Sequence, residues 1–533
     1  MNPLITNTNK LETAAQEMER IVTEFALELA WPPDVVPEIE QIVRDAGRTE
    51  SGLVDLRSIP FTTIDGEGSR DLDQALFIDR FQGGYRVLYA IADASYYIRP
   101  GMALFREAKN RGASYYLPGL SVPMLPRELS EGIISLNPQV ERRAVVFTLV
   151  VNALGHCIKT SITPAVIFSH AALTFEQVQI FYDTPQISDL SNKPFTESLV
   201  LLRELGRLRL AEARQRDVVI YQRSNVRVAV GETGYGFNLV KDQRFEVEVY
   251  NEHISLLCNV EGARYIAALG AQAAWRVHPN PPEARLAQLE RLIAGIVSEH
   301  RLDPSRWRWH RRKTPGDSRG EPLADYLEKI SNEQIDSRIR RVIERAAMVS
   351  NVRSGFSSAP GGHSGIGAPL YARLTAPMRE MVGIHTHAVA LASVGYRYWP
   401  ESVAQELLEE MIDVANRAKE TQRRLTKAAN KLVIDRLFAD DLNTPLSHRP
   451  IRQGTIMELR PNRVYLQLDS PPIELKIYHD DLGPNPQLFK GGAVMRLVEG
   501  KRIRVGAALD VRVRGHNEIR DRWYFDLFYR SGI

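Results

Sequence analysis

Cysteine is almost absent: Cys157 and Cys258 are the only two in 533 residues. Each stands alone in an apolar stretch with no C-x-x-C spacing, which excludes a zinc ribbon and a disulfide framework. Both read as inert, buried thiols of a reducing compartment. Long hydrophobic runs are missing as well. The longest, AVVFTLVVNALG, is too short to span a bilayer and too rich in β-branched residues for a membrane helix. The opening MNPLITNTNKLETAAQEMER lacks the basic-then-apolar layout of a signal peptide, so the expectation is a cytoplasmic protein with no membrane partner. Charge of one sign is not in excess either. A formal net charge of +3 permits a polyanionic partner without demanding one. No fixed-period repeat and no low-complexity tract occurs.

What is present describes a globular chain, 44% hydrophobic and 25% charged. At roughly 150 residues per domain, the length predicts about three modules, or one large domain with a smaller one attached. Apolar positions at helical spacing predict a helix within 11–30, and a second short helix follows the prolines of WPPDVVPEIEQIVRDAG. Residues 61–98 read as strands with Gly83-Gly84 at a hairpin turn, and 142–170 and 218–240 are again strand-like. From about 246 the pattern turns helical, through 332–352 and on to 401–438, a stretch longer than the usual globular helix. SRWRWHRRKTPGDSRGEP at 305–322 reads as a basic loop, and from about 451 short strands return as a separate small β domain.

The chemistry concentrates in TIDGEGSRDLDQA. Asp65 ends a strand, Gly66 and Gly68 make a turn, and Asp71 and Asp73 follow two apart. In extended chain such a pair points to one face, about 6.5 Å apart. Three carboxylates converging in this way repel one another unless a cation sits between them. Hard oxygen donors suit Mg²⁺, or Mn²⁺ in its place, and such a metal can promote phosphodiester hydrolysis. Alone, the motif leaves other readings open: acidic turns are more often solvated loops, and D-x-D occurs in sugar-nucleotide enzymes.

With its neighbours, the motif resembles the metal site of the ribonuclease II (RNB) family, in which four aspartates surround the scissile phosphate. The resemblance runs through YAIADASYYI, NRGASYYLPGLSVPMLPRELSEGIISLNP and RRAVVFTLVV, and returns at GGHSGIGAPLYARLTAPMRE. It implies an α+β fold: a helical N-terminal segment (1–50), an RNB catalytic domain with a mixed β-sheet surrounded by helices (51–440), and an S1-type OB-fold RNA-binding domain (451–533). The family's N-terminal cold-shock barrels are expected to be missing. It implies a metal-dependent 3′-to-5′ exoribonuclease that releases nucleoside 5′-monophosphates from single-stranded RNA. By position, Asp65, Asp71 and Asp73 match three of the four aspartates, and Asp73 would also orient the attacking water. Tyr116 matches the tyrosine that stacks on the terminal base, and Arg379 the arginine of the TSPIRRY element that contacts the phosphate near the cut. Tyr221 lies near the second base-clamping aromatic, with strand-core packing as its alternative. Glu252 and Asn259 fall in the family's acidic, Asn-bearing helix, as positioning or RNA-binding residues.

The sequence departs from the family at the same face. Gln74 stands where the fourth aspartate is expected, and a neutral carboxamide is a poorer ligand for a hard cation. After Arg379 come Glu380, Met381 and Gly383 in place of a second basic residue, Tyr and Asp, and Thr-Ser-Pro has become Thr375-Ala376-Pro377. The alternative is therefore a catalytically impaired RNB-fold protein that binds RNA, with docking by the 305–322 loop a third and weaker reading. In the last module, Tyr465, Tyr478 and Trp523 are candidate stacking residues among cations.

Overall fold

The structure, a computed structural model, describes residues 13–216, 225–230, 237–242, 244–312, 320–331, 337–478, 482, 486–497 and 501–529. Strands Val54–Asp65, Gln74–Phe81, Gly84–Ala92, Glu141–Val151 and Cys157–Thr174 close into a barrel in that order. Neighbours are antiparallel except the closing pair, where Val54–Asp65 runs parallel to Cys157–Thr174. Closure removes the free sheet edges and brings the end of the first strand, Asp65, beside the start of the second, Gln74.

The first hairpin turns one residue earlier than the sequence suggests. Gln82 (φ 49°) and Gly83 (φ 77°) form the two-residue loop, and Gly84 pairs with Phe81 inside the ladder. Two positive φ angles are what a tight hairpin needs. Gly84 is required for a different reason, since a Cβ there would sit 2.1 Å from the Val151 carbonyl oxygen.

Helices Thr196–Gln215, Glu246–Ala268 and Met381–Ser393 pack around the barrel, with Phe147, Leu199, Leu257, Ile384 and Leu391 in the shared core. Helix Met381–Ser393 is buried on every side through Leu391, so it carries no amphipathic period to betray it. The long helix Leu408–Leu442 spans 35 residues and buries one stripe that includes Met411, Ala415, Ala418 and Leu425. The N-terminal helix Ala14–Glu24, opened by a Thr13–Gln16 capping box, packs on that helix through Met18 and Val22.

The C-terminal strands, from Gly454–Arg460 to Arg522–Tyr529, form small antiparallel, OB-like sheets. Their core is shared: Leu466, Ile477 and Val511 pack with Ile293, Trp307, Val342 and Phe438. The change of pattern near 451 is thus a change of secondary structure and not a break in the hydrophobic core. Two surface readings are corrected here. Trp307 and Trp309, within the segment read as a basic loop, are buried against Tyr326. Trp523 packs on Phe438 and donates its indole N–H to Asp435 at 2.7 Å, so it docks the sheet on the long helix instead of presenting a free stacking face.

Candidate active site at the end of the barrel

Asp71 and Asp73 lie in an irregular segment just ahead of the second strand. Three anchors fix this segment. Ser135 Oγ accepts from the Leu72 amide (2.9 Å) and donates to the Arg70 carbonyl (2.8 Å). The Leu136 amide donates to the Leu72 carbonyl (3.0 Å), and the Ala92 amide to the Asp73 carbonyl (2.8 Å). This explains why the stretch SLNP at 135–138 accompanies the acidic motif: it holds the aspartates' backbone.

Asp73 is 2% exposed, and its two oxygens accept from the Met378 amide at 3.1 Å and from Arg379 Nε at 2.8 Å. Burial pushes its carboxyl up to about 6, against the pull of Arg379 and the Met378 N–H, with the Asp71 charge adding to the rise. Burial also raises Asp71, opposed by Arg379 and reinforced by Asp65 and Glu131. Asp65, at the strand end, accepts from the Gly66 amide at 2.8 Å. Arg379 is held firmly protonated, chiefly by Asp73. Its side chain is 38% exposed, and its terminal nitrogens bond to nothing among the described residues.

Tyr116 occupies the short strand Tyr115–Leu117, where alternation buries Tyr115 and Leu117 and leaves Tyr116 51% exposed. Gln422 of the long helix grips its backbone twice, accepting from the Tyr116 amide and donating to its carbonyl, both at 3.0 Å. The Ser114 amide donates to the Arg379 carbonyl, and the Met381 amide to the Gly112 carbonyl, both at 2.9 Å. Tyr116 and Arg379 are therefore stitched to one another through backbone. Gly112 makes the join possible: its φ is 74°, and a Cβ would press on Val414 at 3.0 Å. Both residues line a cleft of 460 Å³ with Arg373, Lys419, Gln422 and Arg423.

The departures after Arg379 have structural partners. Glu380 pairs with Arg373 at 3.0 Å, so it adds no free anion to the cleft. Met381 and Gly383 are buried, and a Cβ at Gly383 would meet Pro377 Cα at 3.0 Å. Lys419 was not legible as a site residue. It donates to Ser354 and stands over the Phe356 ring, while burial and then Arg276 lower its pKa to about 8. Its only sequence signal is its place on a long helix, where most lysines are solvated. Glu252 is half exposed and paired with Arg244. Tyr221 lies outside the described residues.

Among the described residues no three His, Cys, Asp or Glu side chains gather as a ready metal cage. Mg²⁺, however, commonly takes one or two carboxylates and completes its shell with substrate phosphate and water. Asp65 and Asp71, close enough to raise Asp71, supply hard oxygens that fit such a shared ion, while Asp73 is engaged by Arg379.

A carboxylate-bearing barrel end lies beside an exposed tyrosine and a cationic cleft, groups whose chemistry suits a polyanion that also offers a ring to stack. The RNB domain family matches residues 53–392, and the chain belongs to that family. It is 27% identical to ribonuclease R of Escherichia coli over 513 residues, covering 91% of this chain and 59% of that protein. Among solved structures it is similar to Mycoplasma genitalium RNase R in complex with ribose-methylated single-stranded RNA, with a TM-score of 0.82 at 20% identity, over 97% of this chain and 78% of that one. It is also similar in fold to yeast Ssd1, a pseudonuclease, with a TM-score of 0.59 at 16% identity, over 87% and 58% of the two chains. No described helix is long and apolar enough to cross a membrane.

Proposed function

We propose that the chain is a hydrolytic exoribonuclease that shortens single-stranded RNA from its 3′ end and releases nucleoside 5′-monophosphates with Mg²⁺, or Mn²⁺ in its place. One observation carries this reading: Arg379 lines one cleft with the exposed Tyr116 and binds Asp73 of the acidic segment of an RNB barrel. Family membership and the similarity to ribonuclease R support direction and product. Asp65 and Asp71 would hold a divalent cation, which when bound would supply Lewis acidity and a more acidic water.

The chain's own residues do the rest. Tyr116 offers an open ring for the terminal base, a sequence-tolerant contact worth roughly 1–3 kcal/mol. The terminal nitrogens of Arg379 hold the phosphate by charge-assisted bonds and oppose charge building on it. Each Asp73 oxygen spends one lone pair on Met378 or Arg379 and keeps another to orient water. Lys419 and Arg423 add cations to the cleft. The C-terminal strands, where Arg460 and Arg463 flank Tyr465, hold the RNA backbone upstream.

A second reading, RNA held without cleavage, is favoured by Gln74, whose neutral amide is turned to Thr375 and Tyr89. Incubating single-stranded RNA with Mg²⁺ and separating the products by chromatography tests both. Nucleoside 5′-monophosphates, lost on chelation, are the expected result. RNA that stays intact yet migrates with the protein selects the second reading.

A further inference from the structure

Gln74 begins the strand that follows Asp73. Its Nε2 donates to the Thr375 carbonyl at 2.6 Å, and the buried Tyr89 donates its hydroxyl to Gln74 Oε1. Thr375 is gripped from the opposite side by helix Glu246–Ala268. Its Oγ1 bonds to Asn259 Nδ2 and to Ser255 Oγ, both at 2.9 Å, while Asn259 Oδ1 accepts from the Leu374 amide at 2.7 Å. His387 meets the Leu374 carbonyl at 2.7 Å. Four residues beyond Thr375, Arg379 reaches Asp73. Two chain neighbours, Asp73 and Gln74, thus hold the two ends of one segment, 375–379.

This position asks for a donor toward a carbonyl and an acceptor toward a hydroxyl. A carboxamide supplies both, whereas an ionised carboxylate only accepts. An aspartate or glutamate at 74 would turn lone pairs on the Thr375 carbonyl and leave it without its donor. We propose that Gln74 is a positioning residue whose amide ties the Asp73 strand to Thr375 and so sets Arg379 over the cleft. The site of this chain is built around an amide at 74, and a carboxylate there loosens it instead of completing a ligand set. The effect on turnover rests on the exoribonuclease reading; the tie itself does not.

The test compares Gln74→Asp, Gln74→Glu and Tyr89→Phe with wild type by hydrogen–deuterium exchange of residues 374–380 and by kinetics on single-stranded RNA. Both carboxylate variants are expected to exchange faster at 374–380, with helix 408–442 unchanged. Their kcat is expected to fall about tenfold or more, with KM moving less than about threefold, because a displaced arginine costs transition-state contact more than binding. Tyr89→Phe, which removes one partner and introduces no charge, is expected to change both readouts in the same direction and less. Exchange at 374–380 unchanged in all three variants would overturn the proposal, and so would a Gln74→Asp variant that turns over RNA as fast as wild type or faster. If wild type cleaves nothing, the exoribonuclease reading fails, and the exchange data alone still decide this one.

Discussion

Arg379 Nε donates to the carboxylate of Asp73 at 2.8 Å, joining residues 306 positions apart. The contact joins the segment just ahead of the barrel's second strand to the loop before helix Met381–Ser393, so it exists only when both are seated. It places a guanidinium where a row of aspartates would otherwise repel itself, and it leaves the arginine's outer nitrogens toward the cleft. Charge balance and phosphate recognition fall to one side chain.

Replacing that side chain tests both roles. Arg379→Gln leaves Asp73 buried without its cation. Breaking a buried pair costs about 3–5 kcal/mol, and the partial exposure of Arg379 reduces this to about 1–3 kcal/mol. Turnover is expected to fall about 10²–10³-fold with the oxyanion contact gone. Urea denaturation and single-turnover cleavage check the two effects separately.

Tyr116 is exposed and its backbone is fixed by Gln422, so its ring is dispensable for folding. Tyr116→Ala is expected to weaken RNA binding about 10–100-fold, the equivalent of one lost stacking contact, with the melting temperature unchanged. Tyr116→Trp is expected to restore affinity. Fluorescence anisotropy with a short labelled RNA reads both.

Lys419 is held near pKa 8 by burial and Arg276. A depressed lysine is charged below that value and neutral above it, so its attraction for phosphate fades as pH rises through about 8. Bound phosphate favours the charged form and moves the transition upward. RNA affinity is therefore expected to fall between pH 7 and pH 9 by up to about tenfold per unit, and Lys419→Met is expected to flatten that slope.

Arg143 tests the scaffold away from the cleft. Its buried guanidinium pairs with Asp93 at 3.3 Å and Glu50 at 3.0 Å, and lies 3.5 Å from the Tyr96 ring centre. Asp93→Ala would remove the fully buried one of its two anions and leave Glu50, at a cost of about 1.5–3 kcal/mol measured as a lower denaturation midpoint.

Much of this was legible in the sequence because local pattern and chemistry agree. The strand-like runs around TIDGEGSRDLDQA are strands of the barrel, and the helical pattern at 401–438 falls within helices Glu401–Glu406 and Leu408–Leu442. Other features had no local signal. Helix Met381–Ser393 is apolar all round and lacks a period. Trp307 and Trp309 sit among arginines, so their burial depends on helices brought in from elsewhere in the chain. The hairpin slipped by one residue because two adjacent glycines serve different needs, Gly83 a positive φ and Gly84 room against Val151. At the site, the acidic motif pointed to Asp73 and the family resemblance to Tyr116 and Arg379, yet the clamp on Asp73 and the bonds of Gln74 join positions about 300 apart. Such pairings are invisible until the chain is folded.

The central claim is cleavage from the 3′ end by a site with three aspartates and a glutamine. A 5′-labelled single-stranded RNA, incubated with Mg²⁺ beside an Asp73→Asn control, addresses it directly. The account expects a ladder that shortens from the 3′ end, disappears on chelation and is absent in the variant. Full-length RNA that persists with wild type, or an equal ladder from Asp73→Asn, would contradict it.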